Sequence, residues 1–247
     1  MDVSIVTPVF NEEENIRPLL AEIDEVMSKE DLKFEIVAVD DGSEDTSFER
    51  LKSEVEDKDY LKIVKLRSNY GQSKALQAGI DNSDGSTVVT IDSDLQNDPS
   101  DIPRLLNELE KTKSNVLSGF RSNRMDSIDK KMASWIASKL RLFLFENNLT
   151  DYGCTLKAFE REAIDLLDLH EGMHRYIPVL LEKEDLEISE IEVNHRERHS
   201  GQSKYGLYRL PKGFFDMIGL WLSKKYDNII HYPSQNKPDY AVEEIIG

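Results

Sequence analysis

Apolar runs of strand length alternate with stretches of helical spacing along the first 94 residues. Val3–Val9 is an apolar run, and after Asn11–Glu14 the apolar residues return at helical spacing as far as Val26. The same order of strand, polar loop and helix is repeated twice, and a fourth apolar run then ends at Ile91. Strands that alternate with helices predict an α/β fold with a mostly parallel sheet covered by helices on both faces. The predicted strands are Val3–Val9, Phe34–Val39, Leu61–Leu66 and Ser86–Ile91, and the second and third helices cover Phe48–Val55 and Gly71–Ile80.

The pattern changes in the second half of the chain. Longer helical stretches are predicted over Lys130–Glu146 and Glu160–Asp168, with a strand-like run at Ile188–Val193. From Pro233 onwards the chain has two prolines and little apolar periodicity, so this part is predicted to be a tail with a short terminal element. We therefore expect one domain over residues 1–232 and a tail over 233–247.

The overall charge limits the class of partner. The chain has 48 acidic and 31 basic residues, and this net charge of -17 argues against general affinity for nucleic acid or anionic lipid. An anionic ligand would need a local basic patch. Two windows provide one: Gly119–Arg141 has six Lys or Arg against two Asp, and Asn194–Gly213 has five against one Glu.

The remaining bulk features concern compartment and membrane. A single cysteine, Cys154, cannot form an internal disulfide, and the absence of a Cys/His cluster beside it argues against structural zinc. The sequence has no basic leader followed by an apolar core, and no run of about 18 apolar residues. We therefore expect a cytoplasmic protein that is soluble or peripheral to a membrane.

Polar clusters directly follow three of the predicted strands: Asn11-Glu12, Asp40-Asp41 and Asp92-Ser93-Asp94. In open α/β sheets, ligands bind outside the carboxyl ends of the strands, where successive loops meet. Each cluster could instead cap only the next helix, but that reading explains one cluster well and three poorly. The pattern therefore favours a binding site at this edge of the sheet.

Asp92 and Asp94 are placed to share a divalent cation at the end of the fourth strand. Carboxylate oxygens favour Mg²⁺ or Mn²⁺, which keep several waters and bridge to substrate phosphates. Such an ion would stabilise a departing diphosphate as a Lewis acid. An isolated Asp-x-Asp is common in acidic chains, and it is the position after a buried strand that gives this one weight.

Asp41 is expected to accept hydrogen bonds from a nucleobase edge or a ribose hydroxyl, in a pocket that Pro8, Phe10 and Glu12 would also line. The segment Asp40-Asp41-Gly42-Ser43 also has the composition of a polar turn that caps the next helix. Both roles can coexist.

Taken together, these segments resemble the inverting family-2 glycosyltransferases with the GT-A fold, and in particular the branch that includes dolichol-phosphate mannose synthase. The resemblance covers residues 2–225. The first two of its segments are typical of the broad family, and the last two are typical of the lipid-phosphate branch. The segments are Thr7–Glu12, Val39–Ser43, Asn69–Ala75, Asp92–Gln96, Gly119–Arg121, Asp151–Phe159 and Arg198–Tyr205.

The resemblance implies a role for each matching residue. Residues 1–120 would bind the nucleotide-sugar donor, and residues 121–232 would bind a polyprenyl or dolichyl phosphate acceptor. Asp94 would be catalytic through the metal, and Asp151 would lie near the reaction centre, either as a catalytic group or by orienting the sugar or neighbouring lysines. The implied nucleotide-sugar residues are Pro8, Phe10, Glu12, Val39, Asp41, Asp92, Ser93, Asp94 and Gln96; the implied metal ligands are Asp92, Asp94 and Gln96; the implied acceptor-phosphate residues are Arg121, Lys130, Ser134, Arg198 and Lys204.

The acceptor chemistry follows from this resemblance. A phosphate is already ionised near neutral pH, so it needs no strong general base, and in-line attack on the anomeric carbon would invert its configuration. Lys130 stands where the family has an arginine, so a point charge replaces a guanidinium fork there. The base and the sugar of the donor, the lipid length and the oligomeric state are not determined by the sequence.

An apolar stretch from Phe214 to Trp221, flanked by Lys212, Lys224 and Lys225, could lie in a membrane interface or could be a core helix. We expect a peripheral protein at the inner face of the membrane, bound directly or through an anchoring partner.

A glycan-extending enzyme of the same fold is the main alternative, although its Gln-x-x-Arg-Trp motif is absent. A non-catalytic nucleotide-binding subunit is disfavoured because the charged motif residues are all present.

Overall fold

In a computed structural model, the chain folds around one eight-stranded sheet. The structure describes residues 1–122, 149–170, 172–181, 186–197, 218–219, 221–222 and 239–247. The strands are β1 (Val3–Val9), β2 (Phe34–Asp40), β3 (Leu61–Leu66), β4 (Thr87–Thr90), β5 (Val116–Phe120), β6 (Lys157–Glu160), β7 (Ile188–Glu192) and β8 (Val242–Ile246). The α-helices are α1 (Ile16–Met27), α2 (Ser47–Val55), α3 (Gln72–Asp81), α4 (Ile102–Thr112), α5 (Arg161–Ile164) and α6 (Ile177–Leu181), and single 3₁₀ turns cover Pro99–Asp101 and Met173–Tyr176.

The strand order is β7-β5-β6-β4-β1-β2-β3-β8. The pairs β1–β2, β1–β4, β2–β3 and β5–β7 are parallel, whereas β6 and β8 are antiparallel to their neighbours. The strands β3, β2, β1 and β4 therefore form a parallel block whose carboxyl ends share one edge, as the alternating pattern predicts. The fold class expected from the sequence is confirmed.

Each face of the sheet has its own apolar core. On one face, α3 packs against Val6, Val37 and Val39, and on the other, α1 packs against Ile5 and Ile36. Alternate residues of β1 and β2 point to opposite faces, so strands buried on both sides need continuous apolar runs. This is why β1, β2 and β3 were recognisable as mainly apolar segments.

The sequence-based boundaries fail where strands pair with distant partners. The helix predicted over Glu160–Asp168 is only the four-residue α5, because the preceding residues form β6, which joins β4 to β5. The short terminal element predicted within 233–247 is a strand of the sheet, Val242–Ile246, which pairs antiparallel with β3. The helix predicted over Lys130–Glu146 lies outside the described residues.

No helix within the described part of the chain is both long and apolar enough to cross a membrane. Of the apolar stretch from Phe214 to Trp221, the structure describes Ile218, Gly219 and Trp221, and Trp221 is partly buried against the core that contains α3.

Candidate active site

The polar loops after β1, β2 and β4 meet at the carboxyl edge of the parallel block. β1 lies between β2 and β4 and is parallel to both, so the three loops are neighbours. The first two are tied together, since the Asn11 amide N–H donates to Ser43 Oγ at 3.0 Å and Asn11 Oδ1 accepts from the Glu44 N–H at 2.8 Å. Asn11 and Leu95 have left-handed backbones, with φ of 52° and 60°. Such strain in non-glycine residues is concentrated at functional sites.

Asp92 and Asp94 follow β4 and are held by different contacts. Asp92 Oδ1 accepts a hydrogen bond from Gln72 Nε2 at 2.7 Å, and the Asp92 carboxylate also accepts from the Thr155 side chain. Asp94 is 9% exposed, and its Oδ1 accepts from the Gln96 N–H at 3.2 Å. Ser93, between the two carboxylates, is buried.

Burial and mutual repulsion make this carboxylate pair unfavourable without a counter-charge. Desolvation, followed by repulsion from Asp94, raises the pKa of Asp92 to about 6. The hydrogen bond from Thr155 and the positive charges of Arg121 and Lys157 act in the opposite direction. A divalent cation would supply the missing positive charge at this position.

The donor set fits a hard, partly hydrated cation. Asp92 and Asp94 offer carboxylate oxygens, and Gln96 is held next to them because its backbone N–H donates to Asp94. In the described ranges, no group of three or more His, Cys, Asp or Glu residues could hold a metal by itself. Mg²⁺ and Mn²⁺ suit such a site, because they take one or two carboxylates from the protein and complete their shell with substrate phosphates and water.

Asp41 closes β2 and organises the loop that follows β3. Its Oδ1 accepts from the Tyr70 N–H at 2.7 Å and its Oδ2 accepts from the Gly71 N–H at 2.9 Å. Gly71 has φ of 86°, a conformation that favours glycine. Burial raises the pKa of Asp41 to about 6, although these two hydrogen bonds oppose the shift. A nucleotide contact with Asp41 would therefore use the remaining lone pairs of the carboxylate.

The other expected nucleoside residues lie on the same edge of the sheet. Pro8 and Phe10 are partly buried at the end of β1, while Val39 is fully buried in the core. Glu12 is 8% exposed, and its Oε2 accepts from Asn15 Nδ2 at 2.6 Å. The structure therefore brings Pro8, Phe10, Glu12 and Asp41 to one edge, with Val39 beneath them.

Arg121 and Asp151 form a bidentate ion pair at the end of β5. Arg121 Nε donates to Asp151 Oδ2 at 2.6 Å, and Arg121 Nη2 donates to Oδ1 at 3.1 Å. Glu190 on β7 fixes the backbone of this loop by accepting from the N–H groups of Thr150 and Asp151 at 2.7 and 3.2 Å. From the sequence, Arg121 was expected to bind the acceptor phosphate. In the structure, two nitrogens of its guanidinium donate to Asp151. Lys130, Ser134, Arg198 and Lys204, the other acceptor residues, lie outside the described residues.

Three residues of the site were not assigned by the sequence analysis. Gln72 and Thr155 hold Asp92, and Arg196 donates from its N–H to the Gln96 carbonyl at 2.8 Å. Arg196 also bridges Glu22 and Asp98, each at 2.6 Å, and so fixes the loop after Asp94. Gln72 could have been found because its segment also follows a strand of the parallel block. The sequence around Thr155 and Arg196 contains no pattern that predicts their contacts.

The architecture is that of a GT-A glycosyltransferase. Two structures of glucosyl-3-phosphoglycerate synthase from Mycobacterium tuberculosis superpose with TM-scores of 0.71 and 0.72, covering 98% of this chain and 86% of theirs. Their sequence identities of 21% and 19% limit this likeness to the fold.

The chain belongs to glycosyltransferase family 2, since the profile described as Glycosyl transferase family 2 matches residues 4–167. It is 36% identical over 230 residues to dodecaprenyl-phosphate galacturonate synthase of Rhizobium johnstonii, covering 92% of this chain and 68% of the relative. It is 38% identical over 219 residues to undecaprenyl-phosphate 4-deoxy-4-formamido-L-arabinose transferase of Proteus mirabilis, covering 87% of this chain and 66% of the relative. Both relatives are named for polyprenyl phosphates, and the chain spans about two thirds of their length.

Proposed function

We propose that the chain transfers a sugar from a nucleoside-diphosphate sugar to a polyprenyl phosphate, with inversion at the anomeric carbon. The single observation that carries this proposal is the Asp92–Asp94 carboxylate pair at the carboxyl edge of the sheet, beside the Asp41 loop, in a chain similar to enzymes named for polyprenyl phosphates. Residues 1–120 would bind the donor and residues 121–232 the acceptor.

On the donor side, Asp92, Asp94 and Gln96 would hold Mg²⁺ or Mn²⁺, which stabilises the diphosphate leaving group as a Lewis acid when bound. The solved Mycobacterium tuberculosis enzyme was crystallised with Mn²⁺ and UDP. Pro8, Phe10, Glu12, Val39 and Asp41 would hold the nucleoside. Gln72 and Thr155, which donate hydrogen bonds to Asp92, would fix the orientation of this carboxylate as a metal ligand.

On the acceptor side, a phosphate oxygen attacks the anomeric carbon, a new C–O bond forms, and the bond to the diphosphate breaks to release the nucleoside diphosphate. The acceptor is already an anion near neutral pH, so the site needs positive charge more than a general base. In a chain of net charge -17, basic residues are concentrated in the two windows that contain Arg121, Lys130, Arg198 and Lys204. These residues and Ser134 would bind the phosphate, with the protein peripheral at the inner face of the membrane.

A transfer assay tests the proposal. Purified protein would be incubated with a short polyprenyl phosphate, Mn²⁺ or Mg²⁺, and a panel of UDP- and GDP-sugars, in parallel with Asp94→Asn. The matched control is Asp84→Asn, since Asp84 is an exposed carboxylate that pairs with Lys62 away from the site.

We expect metal-dependent glycolipid formation in the wild type and in Asp84→Asn, and at least ~100-fold less in Asp94→Asn. The panel would also identify the base and the sugar. Donor binding or hydrolysis without lipid glycosylation would overturn the acceptor assignment and favour a glycan-extending enzyme.

A further inference from the structure

The last nine residues contact both ends of helix α3. In this segment, Asp239–Gly247, strand β8 pairs with β3, and the Ala241 carbonyl accepts from the Arg67 N–H at 3.0 Å. Tyr240 packs against the core that contains α3, and its hydroxyl donates to Asp81 Oδ2, at the last residue of α3, at 2.5 Å. We call this segment the terminal clamp.

At the other end of α3, the terminal clamp neutralises a buried lysine. Lys74 lies in the first turn of α3, its side chain is only 7% exposed, and its ammonium forms an ion pair with Asp239. The pairing lowers the pKa of Asp239, against the effect of partial burial. A buried ammonium is costly without a counter-charge, so removing its partner forces Lys74 toward solvent or disturbs the turn that carries it.

The same helical turn donates hydrogen bonds to two carboxylates at the carboxyl edge of the sheet. Gln72, two residues before Lys74, donates to Asp92 at 2.7 Å, and the Gly71 N–H at the start of the helix donates to Asp41 at 2.9 Å. A shift of this turn to release Lys74 would therefore move the hydrogen-bond donors of two carboxylates at once. Mutating a hydrogen-bond partner of a metal ligand commonly costs about 10- to 100-fold in metal affinity or activity.

We propose that the Asp239–Lys74 ion pair is a positioning contact of the donor site, through which the terminal clamp fixes the first turn of α3 and the Gln72 hydrogen bond to Asp92. The consequence for donor affinity rests on the proposed function. The structural link between the clamp and the turn does not, and it can be tested without any substrate.

The chain offers a matched control in the same clamp. Lys65 Nζ pairs with Glu243 Oε2 at 3.1 Å, so this ion pair also joins the clamp to the body of the sheet. Lys65 is on β3 and is more exposed than Lys74, and it has no contact with α3 among those described. Glu243→Gln therefore removes an ion pair of the clamp that does not involve the turn carrying Gln72.

The first experiment is hydrogen exchange of the backbone amides over residues 71–76, measured by mass spectrometry without ligand. We expect exchange at least ~5-fold faster in Asp239→Asn than in the wild type, with wild-type rates in Glu243→Gln and in the conservative variant Asp239→Glu. Exchange over α1 serves as a reference for global destabilisation. Equal rates over residues 71–76 in Asp239→Asn and Glu243→Gln would overturn the proposal.

The second experiment measures the donor KM and kcat of the same variants, with Gln72→Leu and the double variant. We expect Asp239→Asn to raise the donor KM ~10-fold while kcat changes less, and its effect to be non-additive with that of Gln72→Leu. A lower melting temperature with additive KM effects would mean that the pair only stabilises the fold, and would overturn the positioning role. If the wild type has no transferase activity, the proposed function fails while the exchange result still decides the clamp.

Discussion

Arg121 binds Asp151 through two parallel hydrogen bonds, from Nε to Oδ2 at 2.6 Å and from Nη2 to Oδ1 at 3.1 Å. Both side chains are largely buried, at 13% and 6% exposed. A bidentate pair of this geometry fixes the plane of the guanidinium, and Nη1 is the guanidinium nitrogen that is not part of the pair. We therefore interpret Asp151 as the residue that orients Arg121, which is a more specific role than the sequence suggested.

Breaking this pair should destabilise the protein. Asp151→Ala leaves a largely buried guanidinium without its counter-charge, and we expect the free energy of unfolding to fall by about 3 kcal/mol. Urea denaturation measures this change. The control is Glu25→Ala at the Lys29–Glu25 pair, whose side chains are 65% and 74% exposed, so a smaller loss of under about 1 kcal/mol is expected. Equal losses in the two variants would contradict our interpretation of the buried pair.

Asp92→Asn should bind the metal more weakly than the wild type. In Asp92→Asn, the side-chain oxygen can still accept the hydrogen bond from Gln72, so the loop is retained while one anionic ligand is lost. We expect the affinity for Mn²⁺ in the presence of the nucleoside diphosphate to fall ~10- to 100-fold, with no loss of thermal stability. Titration calorimetry with Mn²⁺ and UDP or GDP tests this. Unchanged Mn²⁺ affinity would exclude Asp92 as a ligand.

The raised pKa of Asp92 predicts an unusual pH dependence in the metal-free protein. Asp92 titrates at about 6 in the folded protein, compared with 3.8 ordinarily, so the folded state holds more protons within this interval. The free energy of unfolding should therefore decrease through this group as pH rises from about 4 to about 6, the opposite of a salt-bridged carboxylate. Denaturation of the wild type and Asp92→Asn in EDTA, from pH 4.5 to 6.5, should show a steeper decline in the wild type. Parallel profiles would argue against the raised pKa.

Gly79 sets how closely α3 approaches the sheet. A Cβ at this position would lie 2.3 Å from Val6 Cγ1 and 3.0 Å from Val39 Cγ2. Alanine favours a helix interior by about 1 kcal/mol over glycine, but overpacking costs about 1–3 kcal/mol, so we expect Gly79→Ala to be destabilising by about 1 kcal/mol.

The donor KM should also rise in this variant, because α3 carries Gln72. Adding Val6→Ala removes the clashing methyl groups and should restore much of the donor affinity at a further cost in core packing. Thermal melting and kinetics of the single and double variants distinguish the two effects. A more stable Gly79→Ala variant would show that the helix has room to move.

The order of strands and helices in the parallel block was predictable because each of these strands is buried on both faces. Burial of that kind favours a mainly apolar run, which is visible locally, and β1 and β3 have the boundaries that the sequence predicts. The shorter strand β6 was missed, and β8 was predicted only as a short terminal element, not as a strand of the sheet. Each is antiparallel to a strand far away in sequence, and four or five residues are too few for a periodic signal.

The sequence by itself determined which chemical groups reach the carboxyl edge of the parallel block, because a carboxylate that directly follows a parallel strand must lie at the carboxyl end of the sheet. Asp41, Asp92 and Asp94 were found in this way. Only the tertiary structure decided what holds them. Gln72 reaches Asp92 across 20 residues, and Arg121 reaches Asp151 across 30. Such partners depend on how helices and distant strands pack, and hydrogen bonds between residues far apart leave no periodicity in the sequence.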